Sequence, residues 1–348
     1  MLGILRSIKA NWSAVFIDYA KAFDHVDHST ILHTLKSFNI ELAIINWAHA
    51  FLHCRQQRVK LGNHYSDWIT LVGGLPQGTW LGPLFFIGLI NDLKTFLPLH
   101  KFVDDVTITE IIEPRSVTSQ MQDACNDVEL WSKAHHMKIN SKKTKQMFLG
   151  SQADKLSTKQ LSISGLDIET VNQFKLLGVT LNDALKWDDH VNTICNKINK
   201  RLFFLRKLKR AAMSSGDLVA FYCAAIRPVA EYACAVWHTS ITEGQSAQLE
   251  QLQRRAIRTI FGDSLDYTTA CMTYDIDLTL SSRRDIQTQR LFHQITDSTI
   301  HPLHYLLPAK RDPAILARLR NPKPYEPPFA RTSRFQNSFF VHSLNNYQ

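Results

Sequence analysis

The amino-acid sequence predicts an α+β fold in the first half of the chain and an all-helical region in the second half. Short apolar and β-branched runs alternate with helical periodicities up to about residue 182. From about Asp188 onward, several stretches with helical spacing follow one another without a clear strand. Hydrophobic residues make up 45% of the 348 and charged residues 20%, so a sizeable core can form and a disordered or fibrous chain is excluded.

Carboxylates mark two strand ends in the first half. SAVFI at 13–17 predicts a buried strand that stops at Asp18, and KFVDDVTITEI at 101–111 predicts a hairpin with Asp104 and Asp105 at its tip. Strands distant in sequence can bring such residues together on one sheet. Carboxylates are hard oxygen ligands that suit Mg²⁺, and two such ions about 3.5–4 Å apart support nucleotidyl transfer. The alternative is an ordinary surface turn, because Asp is common in turns.

Helical spacing and turn residues predict the other elements of the first half. Ser29 is the expected N-cap of a helix that ends near Phe38. The alternating runs at 57–61 and 68–72 are expected to pair as strands, after which GGLPQG at 73–78 breaks the chain. Further helices are expected at about 79–93 and 116–136, and further strands within 137–150 and 160–181.

The second half contains a strongly basic helix. The segment KINKRLFFLRKLKR at 197–210 has seven basic residues and no acidic residue among its fourteen. Its apolar stripe of Ile198, Leu202, Leu205 and Leu208 can pack, while the opposite face either follows phosphates or is simply solvated. The predicted helices are 189–212, 215–238 with Ser214 and Asp217 as a possible capping box, and 247–261 ending at Gly262.

Charge and cysteine content narrow the class of protein. The formal net charge of +9 favours a polyanionic partner. The six cysteines lack metal-binding spacing and the first residues lack a secretory cleavage site, so an intracellular protein of the nucleus or cytoplasm is expected, not a secreted one. The apolar stretch 218–237 carries Arg227, Pro228 and Glu231 near its centre, so no transmembrane segment and no membrane partner are expected.

Five ordered sequence blocks resemble the reverse transcriptases of non-LTR (LINE-type) retrotransposons. The blocks are AVFIDYAKAFDHVDH at 14–28, GLPQGTWLGPLFFIGLINDL at 74–93, FVDD at 102–105, MKINSKKTKQMFLG at 137–150 and FKLLGVTLNDALKWDDHV at 174–191. The C-terminal region of the family is similar to RPVAEYACAVWH at 227–238, LEQLQRRAIRTIFG at 249–262 and RTSRFQNSFF at 331–340. The likeness covers nearly the whole chain.

The resemblance implies a domain organisation. It gives a partial polymerase palm at 1–173, an antiparallel sheet with helices, followed by a primer-grip hairpin at 174–188. An all-helical thumb at 189–262 and a C-terminal region at 263–348, first helical and then loose and basic, would come next. The family's fingers and endonuclease are not found, which implies a chain truncated at its N-terminus and inactive in isolation.

The resemblance also implies site residues. Asp18, Asp104 and Asp105 would hold two Mg²⁺ ions, and Lys143 would protonate the leaving pyrophosphate unless it, like Lys142, is a solvated surface lysine. Phe23 falls where the family keeps an aromatic ring that excludes a ribose 2′-OH; its other interpretation is a core aromatic residue. Pro76, Gln77 and Gly78 would form the loop that binds the nucleotide. The alternative is that these residues form an ordinary Pro-Gly turn without a binding role.

The implied partners are an RNA template, a DNA primer and a dNTP. Gly178 would let the backbone of the primer grip approach a sugar-phosphate, although a plain buried strand fits that segment equally well. The basic helix would hold the template–primer duplex through Lys197, Lys200, Arg201, Arg206, Lys207, Lys209 and Arg210. The competing hypothesis is a non-catalytic nucleic-acid-binding remnant of a transposon; a viral-type RNA polymerase is disfavoured by Phe23 and the LPQG sequence. Oligomeric state is left open.

Overall fold

The computed structural model describes residues 11–112, 119–150, 160–262, 265–274, 276, 279–320 and 322–347. It divides into two compact units, with the division between Phe174 and Lys175. We call Lys9–Phe174 the sheet unit and Lys175–Gln348 the helical unit. The division falls at the start of the predicted primer-grip hairpin. The finer predicted boundaries stay predictions.

The sheet unit contains short strands and four helices. The helices are α1 His28–Ser37, α2 Leu42–Leu52, α3 Leu81–Ile90 and α4 Met121–Ala134. The strands are β1 Asn11–Ile17, β2 Gln56–Gln57, β3 Lys60–Leu61, β4 His64–Tyr65, β5 Ile69–Thr70, β6 Leu99–Phe102, β7 Asp105–Ile112, β8 Lys145–Leu149, β9 Ser162–Ile163, β10 Leu166–Asp167 and β11 Glu169–Thr170. Strand β12, Gln173–Leu176, crosses the division between the units and pairs with β13, Val179–Asn182.

A five-stranded sheet organises this unit in the order β11-β8-β1-β7-β6. Strand β1 is central and pairs antiparallel with both β7 and β8, whereas β11 is parallel to β8. Residues 12–17 of β1 are all buried because both faces of the central strand are covered. The predicted strand at 13–17 and the predicted α+β class are therefore confirmed.

Three local predictions for the sheet unit are corrected. Asp27, and not Ser29, caps α1, because the Asp27 carboxylate accepts the backbone N–H of Thr30 at 2.8 Å. The helix α2 was not predicted, since most of its exposed side chains are as apolar as its buried ones and no amphipathic pattern marks it. The runs 57–61 and 68–72 do not pair along their length: β2 pairs with β5, and β3 pairs with β4.

The helical unit is built on one long helix and the elements packed around it. The α-helices are α5 Asp188–Arg210, α6 Ser215–Phe221, α7 Arg227–Glu231, α8 Cys234–Trp237, α9 Glu243–Phe261, α10 Tyr267–Thr273, α11 Leu280–Asp297, α12 Pro313–Leu316, α13 Ser333–Gln336 and α14 Phe339–Asn346. Helix α5 buries Ile198, Leu202 and Leu205, as its predicted apolar stripe requires. Thr242 and Gln245 form a capping box that starts α9 earlier than predicted.

The predicted helix 215–238 is interrupted. A π-helical turn at Tyr222–Ile226 joins α6 to α7, where Pro228 lies in the first turn. Ala233, with φ of 50°, then separates α7 from α8. Residues 215–240 are the one stretch of the described chain long and apolar enough to cross a membrane, with a mean hydropathy of 1.3. Since length and composition are weak evidence, the expected absence of a membrane span stays a prediction.

Candidate active site

Asp18 is fixed through its backbone at the end of β1. The turn at 140–144, from the block MKINSKKTKQMFLG, supplies both bonds: the N–H of Asn140 donates to Asp18 O at 2.7 Å, and the N–H of Asp18 donates to Thr144 Oγ1 at 3.3 Å. Thr144 is completely buried. Both backbone groups of Asp18 therefore have hydrogen-bond partners other than its own carboxylate, and the carboxylate is free to make other contacts.

Asp105 lies opposite Asp18 on the neighbouring strand. The ladder between β1 and β7 ends at the pair Ile17 and Val106, so the next residues are Asp18 and Asp105. Phe102 pairs with Asp105, which places Val103 and Asp104 at the tip of the hairpin. Asp104 is thus at the tip as predicted, whereas Asp105 is the first residue of strand β7. Burial, then Asp104, then Asp18 raise the pKa of the Asp105 carboxyl above its usual range. Since Asp104 and Asp18 both act on the Asp105 carboxyl, the three acids lie in one region.

The hairpin tip is strained. Val103 has a φ of 56°, which is unusual for a β-branched residue and costs on the order of 1–3 kcal/mol. Such strain persists only where the surrounding structure enforces it. Because Asp104 follows directly, the strained turn determines where this carboxylate is presented.

Lys143 stands beside Asp18, as the sequence predicted for a basic residue near the acids. Its Nζ lies 3.9 Å from Asp18 Oδ2, beyond hydrogen-bonding distance, and its side chain is 70% exposed. Asp18 Oδ2 is itself buried and has no hydrogen-bond partner among the described residues. A buried carboxylate oxygen without a donor is an open ligand for a cation.

The type of donor atom at Asp18 fits a magnesium ion. Asp18 Oδ2 is a hard oxygen ligand of the kind that Mg²⁺ takes. Within the described ranges, however, no group of three or more His, Cys, Asp or Glu side chains is arranged to hold a metal ion. The predicted ligand set of Asp18, Asp104 and Asp105 therefore stays a prediction.

Phe23 is a partly buried residue that packs against the core of the sheet unit. Its ring stacks on Phe86 of α3 with centroids 4.8 Å apart, and the side chain is half-buried. Its carbonyl accepts the N–H of Leu75 at 2.8 Å, which ties it to the GGLPQG loop. The core interpretation thus describes one face of the ring, and the steric-gate role stays a prediction for its remaining surface.

Two residues not predicted from sequence hold the GGLPQG loop. The carbonyl of Gly74 binds His28 Nε2 at 2.8 Å and accepts from an Arg55 guanidinium nitrogen at 2.7 Å. Gly74 has a φ of 79°, and a Cβ there would meet Asp24 O at 2.9 Å. No local pattern could reveal His28 or Arg55, because each is 19 or more residues from the glycine that it binds.

The three predicted nucleotide-binding residues follow directly. Pro76 presents its carbonyl to Thr79 Oγ1 at 2.9 Å, which closes the turn. Gln77 is exposed, and its Nε2 donates to Asp24 Oδ1 at 3.2 Å. Gly78 has a φ of 78°, and a Cβ there would meet no heavy atom of the described chain within 4 Å. The side chain of Gln77 is oriented by Asp24, and the space at Gly78 is open.

A surface cavity of about 500 Å³ lies elsewhere in the sheet unit. It is bordered by residues 24–27, residues 70–73 and His136. Neither the predicted catalytic residues nor the predicted nucleotide-binding residues line it.

In the helical unit, the predicted nucleic-acid-binding residues fall into two groups. Arg201 donates to the carbonyl of Ala225, and Lys209 Nζ donates to that of Ile260 at 2.7 Å, so both join α5 to neighbouring segments. The remaining basic side chains are exposed: Lys197, Lys200, Arg206, Lys207 and Arg210. Exposed Phe203 and Phe204 lie among them, and Lys207 Nζ is 4.7 Å from the Phe203 ring centroid.

Gly178, the predicted close-approach point of the primer grip, is covered by a side chain. Its φ is 84°, and a Cβ there would lie 3.0 Å from the ring of Tyr232. The Tyr232 hydroxyl donates to Leu177 O at 2.9 Å. Glycine is thus needed here for its backbone conformation and for this packing, while the approach of a sugar-phosphate stays a prediction.

Comparison with known proteins identifies the family. The model described as Reverse transcriptase (RNA-dependent DNA polymerase) matches residues 2–181, more than half of the chain. The chain belongs to the reverse transcriptase family. A second model, Alkylated DNA repair protein alkB homolog 8, N-terminal, matches only residues 187–227 of this reverse transcriptase chain.

The relatives are polymerases of transposons. The probable RNA-directed DNA polymerase from transposon BS of Drosophila melanogaster is 25% identical over 319 residues, which cover 88% of this chain and 34% of that protein. The RNA-directed DNA polymerase from mobile element jockey of the same species is 24% identical over 71% of this chain and 28% of its own length. The chain thus spans about a third of these relatives, and the predicted resemblance to non-LTR elements is confirmed.

Among solved structures, the chain is similar to apo telomerase from Candida tropicalis. The TM-score is 0.40 and the identity 11%, with 85% of this chain and 52% of that chain covered.

Proposed function

We propose that this reverse transcriptase chain carries the catalytic carboxylates of an RNA-directed DNA polymerase. The reaction joins the 3′-OH of a primer to the α-phosphorus of a dNTP and releases pyrophosphate. One observation carries the proposal: Asp18 presents a buried carboxylate oxygen without a hydrogen-bond partner in the described chain, between Asp105 and Lys143. Family membership gives this arrangement its chemical meaning.

Asp18, Asp104 and Asp105 are the residues that would hold two Mg²⁺ ions. When bound, such ions lower the pKa of the attacking hydroxyl and stabilise the leaving oxygen. Lys143 is exposed and beside Asp18, so its ammonium can give a proton to the departing pyrophosphate. Phe23, which stacks on Phe86, would exclude a ribose 2′-OH with the rest of its ring, and Gln77, which donates to Asp24, would contact the incoming base or its template partner.

The helical unit would bind the template–primer duplex through one face of α5. Lys200, Lys207 and Arg210 share this face with exposed Phe203. Lys197 and Arg206 flank it. Arg201 and Lys209 are better assigned to holding the helix in place, because both donate to carbonyls of neighbouring segments.

Primer extension tests the catalytic proposal. The chain should be assayed alone and as a fusion to the preceding part of the transposon BS polymerase, with an RNA template, a DNA primer, dNTPs and Mg²⁺. The chain spans about a third of that polymerase, and we expect the rest to help hold the primer end and the dNTP in line. Because aligned reactants gain about 7–11 kcal/mol over unaligned ones, we expect extension near background from the chain alone and clear extension from the fusion. Asp104→Asn should abolish extension, and Phe23→Ala should admit ribonucleotides.

Asp167→Asn is the matched control. Asp167 is an exposed carboxylate on the β9–β10 hairpin, so its replacement should leave extension unchanged. Extension that survives Asp104→Asn would show that the catalytic acids are elsewhere. Robust extension by the chain alone would contradict the inactivity expected of the isolated chain.

Salt dependence tests the α5 surface separately from catalysis. Replacing Lys197, Lys200, Lys207 and Arg210 with Gln should reduce the slope of log affinity for a template–primer duplex against log salt by up to about 3–4, since each phosphate contact contributes roughly 0.9. The same number of changes at Lys186, Arg290, Arg318 and Arg320 is the control. Duplex binding without extension in the fusion would favour the non-catalytic remnant.

A further inference from the structure

An exposed β-arm projects from the sheet unit. Residues 56–70 form two short antiparallel ribbons, β2 with β5 and β3 with β4, and every residue of these four strands is exposed. Two-stranded ribbons are at best marginally stable in water without a covering partner. The β-arm therefore has both faces available for binding.

One face of the β-arm is lined by cations and aromatic rings. The Arg58 guanidinium lies 4.0 Å from the centroid of Tyr65 and 4.5 Å from that of Trp68. Lys60 Nζ lies 5.4 Å from Tyr65, the residue with which Lys60 pairs across β3 and β4. We call these four residues the cationic face.

The opposite face has a different chemistry. Side chains alternate along a strand, so Leu61 points away from its neighbour Lys60 in β3. Val59 lies just before that strand, and its N–H donates to Ser66 Oγ at 2.9 Å. Ile69 pairs with Gln57 and shares that second face. Leu61 is 80% exposed. This apolar face suits a protein surface, whereas the cationic face suits a polyanion with aromatic rings.

We propose that the cationic face binds single-stranded nucleic acid by stacking unpaired bases on Tyr65 and Trp68. Both rings remain about half exposed, 50% and 56%, although Arg58 contacts each of them. A ring held by a cation has little freedom left to lose when a base stacks on it. The segment 53–72 contains three basic residues, Arg55, Arg58 and Lys60, and one acid, Asp67. Its net positive charge complements phosphates.

The β-arm also has a defined place relative to the catalytic region. Arg55 at its base donates to Gly74 O at 2.7 Å, and the N–H of Leu71 donates to Arg55 O at 2.8 Å. The base of the β-arm is therefore fixed to the GGLPQG loop. This binding does not require polymerisation, so the inference goes beyond the proposed function.

Binding of a 12-nucleotide single-stranded RNA to the full chain tests the inference. The RNA carries fluorescein for anisotropy, and a duplex of the same sequence is measured in parallel. Replacing Tyr65 and Trp68 together with Leu, which keeps apolar area and removes the rings, should weaken single-strand binding at least tenfold, since stacking contributes about 1–3 kcal/mol per base. Duplex binding should change less than twofold.

Val59→Thr together with Leu61→Thr is the matched control on the apolar face and should leave single-strand affinity within twofold. A 2-aminopurine placed in the RNA should be quenched on binding to the parent chain and to this control, but not to the ring-deleted variant. Quenching reports stacking itself, which a merely structural effect would not move. Thermal unfolding should confirm that both variants fold.

Equal loss of single-strand and duplex binding, or no loss of either, would overturn the inference. The variant without the Tyr65 and Trp68 rings could also keep its RNA binding and change from dimer to monomer in sedimentation. The occupant of the cationic face would then be a second copy of the chain, and the inference would be overturned. Loss of extension in Asp104→Asn with unchanged RNA quenching would support the β-arm site whatever the fate of the polymerase proposal.

Discussion

Polar side chains are used in opposite ways in the two units. Around Asp18, the backbone groups are paired, while one carboxylate oxygen and the Lys143 ammonium have no hydrogen bond to each other. In the helical unit, Arg284 is completely buried, its Nε donating to His238 Nδ1 at 3.3 Å, and His190 Nδ1 accepts the N–H of Thr180 at 3.2 Å. Each of these residues also has one buried nitrogen, Arg284 Nη1 and His190 Nε2, without a hydrogen-bond partner among the described residues. The first arrangement keeps charge available for a ligand, and the second uses polar groups to hold elements together.

The largest expected effect concerns Arg284. Its guanidinium lies 5.5 Å from the Trp237 ring, and burial lowers its pKa. Arg284→Ala should lower the free energy of unfolding by about 2–5 kcal/mol because it leaves a cavity. Arg284→Met fills most of that volume without a buried charge and should stay within about 1 kcal/mol of the parent. Urea unfolding at pH 7 measures both.

A similar loss of stability from the two variants would mean that the charge of Arg284 is what the helical unit requires. The nearby carboxylates argue against this. Glu250 accepts the backbone N–H groups of Leu280 and Ser281 at the start of α11, and Glu231 binds Arg283 and Gln287. Both acids therefore keep partners when Arg284 is removed.

The second prediction concerns pH and the helical unit. Burial, and then Lys197, lower the pKa of His190 to about 4. The folded chain thus binds fewer protons than the unfolded chain between pH 6.5 and 4, and stability must fall as pH falls through this range. A shift of this size corresponds to about 3 kcal/mol at 1.36 kcal/mol per unit.

Urea unfolding at pH 7.5 and pH 4.5 checks this. His190→Gln cannot be protonated, so the difference in stability between the two pH values should shrink by about 2–3 kcal/mol. His238 has the same direction of shift, with a pKa of about 4 caused by burial and Arg284, and contributes to the dependence that remains. An unchanged difference in the His190 variant would show that His190 is not buried as a neutral ring.

The third prediction compares two glycines of the GGLPQG loop. Gly74 and Gly78 both have a positive φ, 79° and 78°, but a Cβ meets Asp24 O at 2.9 Å only at Gly74. Gly78→Ala should therefore cost about 1 kcal/mol for the backbone conformation alone, and Gly74→Ala about 2–3 kcal/mol. Thermal unfolding compares them. Equal costs would mean that the Asp24 segment moves aside.

The sequence predicted the sheet unit well where chemistry and pattern coincide. SAVFI followed by Asp18, and the strand–DD–strand pattern around Asp104, are local signals; the strand and the hairpin are both present, with Asp104 at the tip and Asp105 in the strand. The family blocks then supplied Lys143, which spacing alone would leave among ordinary surface lysines. The structure places its Nζ 3.9 Å from Asp18 Oδ2, and the role of Lys143 stays a prediction.

Other features depend on contacts that no local pattern records. His28 and Arg55 reach Gly74 across 46 and 19 residues, and Tyr232 covers Gly178 through the packing of the helical unit. The break at Ala233 was also missed, because neither alanine nor its neighbours predict a residue with φ of 50°. The basic residues of 197–210 could be listed from sequence, but only the structure shows that Arg201 and Lys209 donate to carbonyls of neighbouring segments.

The smallest expected effect returns to the acids. The folded state raises the pKa of Asp105, so the folded chain holds this proton at a higher pH than the unfolded chain, and stability is lost as pH rises through that pKa. Asp105→Asn should therefore raise the free energy of unfolding at pH 7 and leave it unchanged near pH 3. The gain should be below about 1 kcal/mol, because the side chain is exposed and water screens it.

Asp167→Asn, measured at the same two pH values, controls for loss of an exposed carboxylate outside the site. A gain confined to Asp105 would show that this acid is kept against stability, as expected for a ligand-binding group; equal behaviour of the two variants would place Asp105 among ordinary surface carboxylates and remove the contrast between the two units.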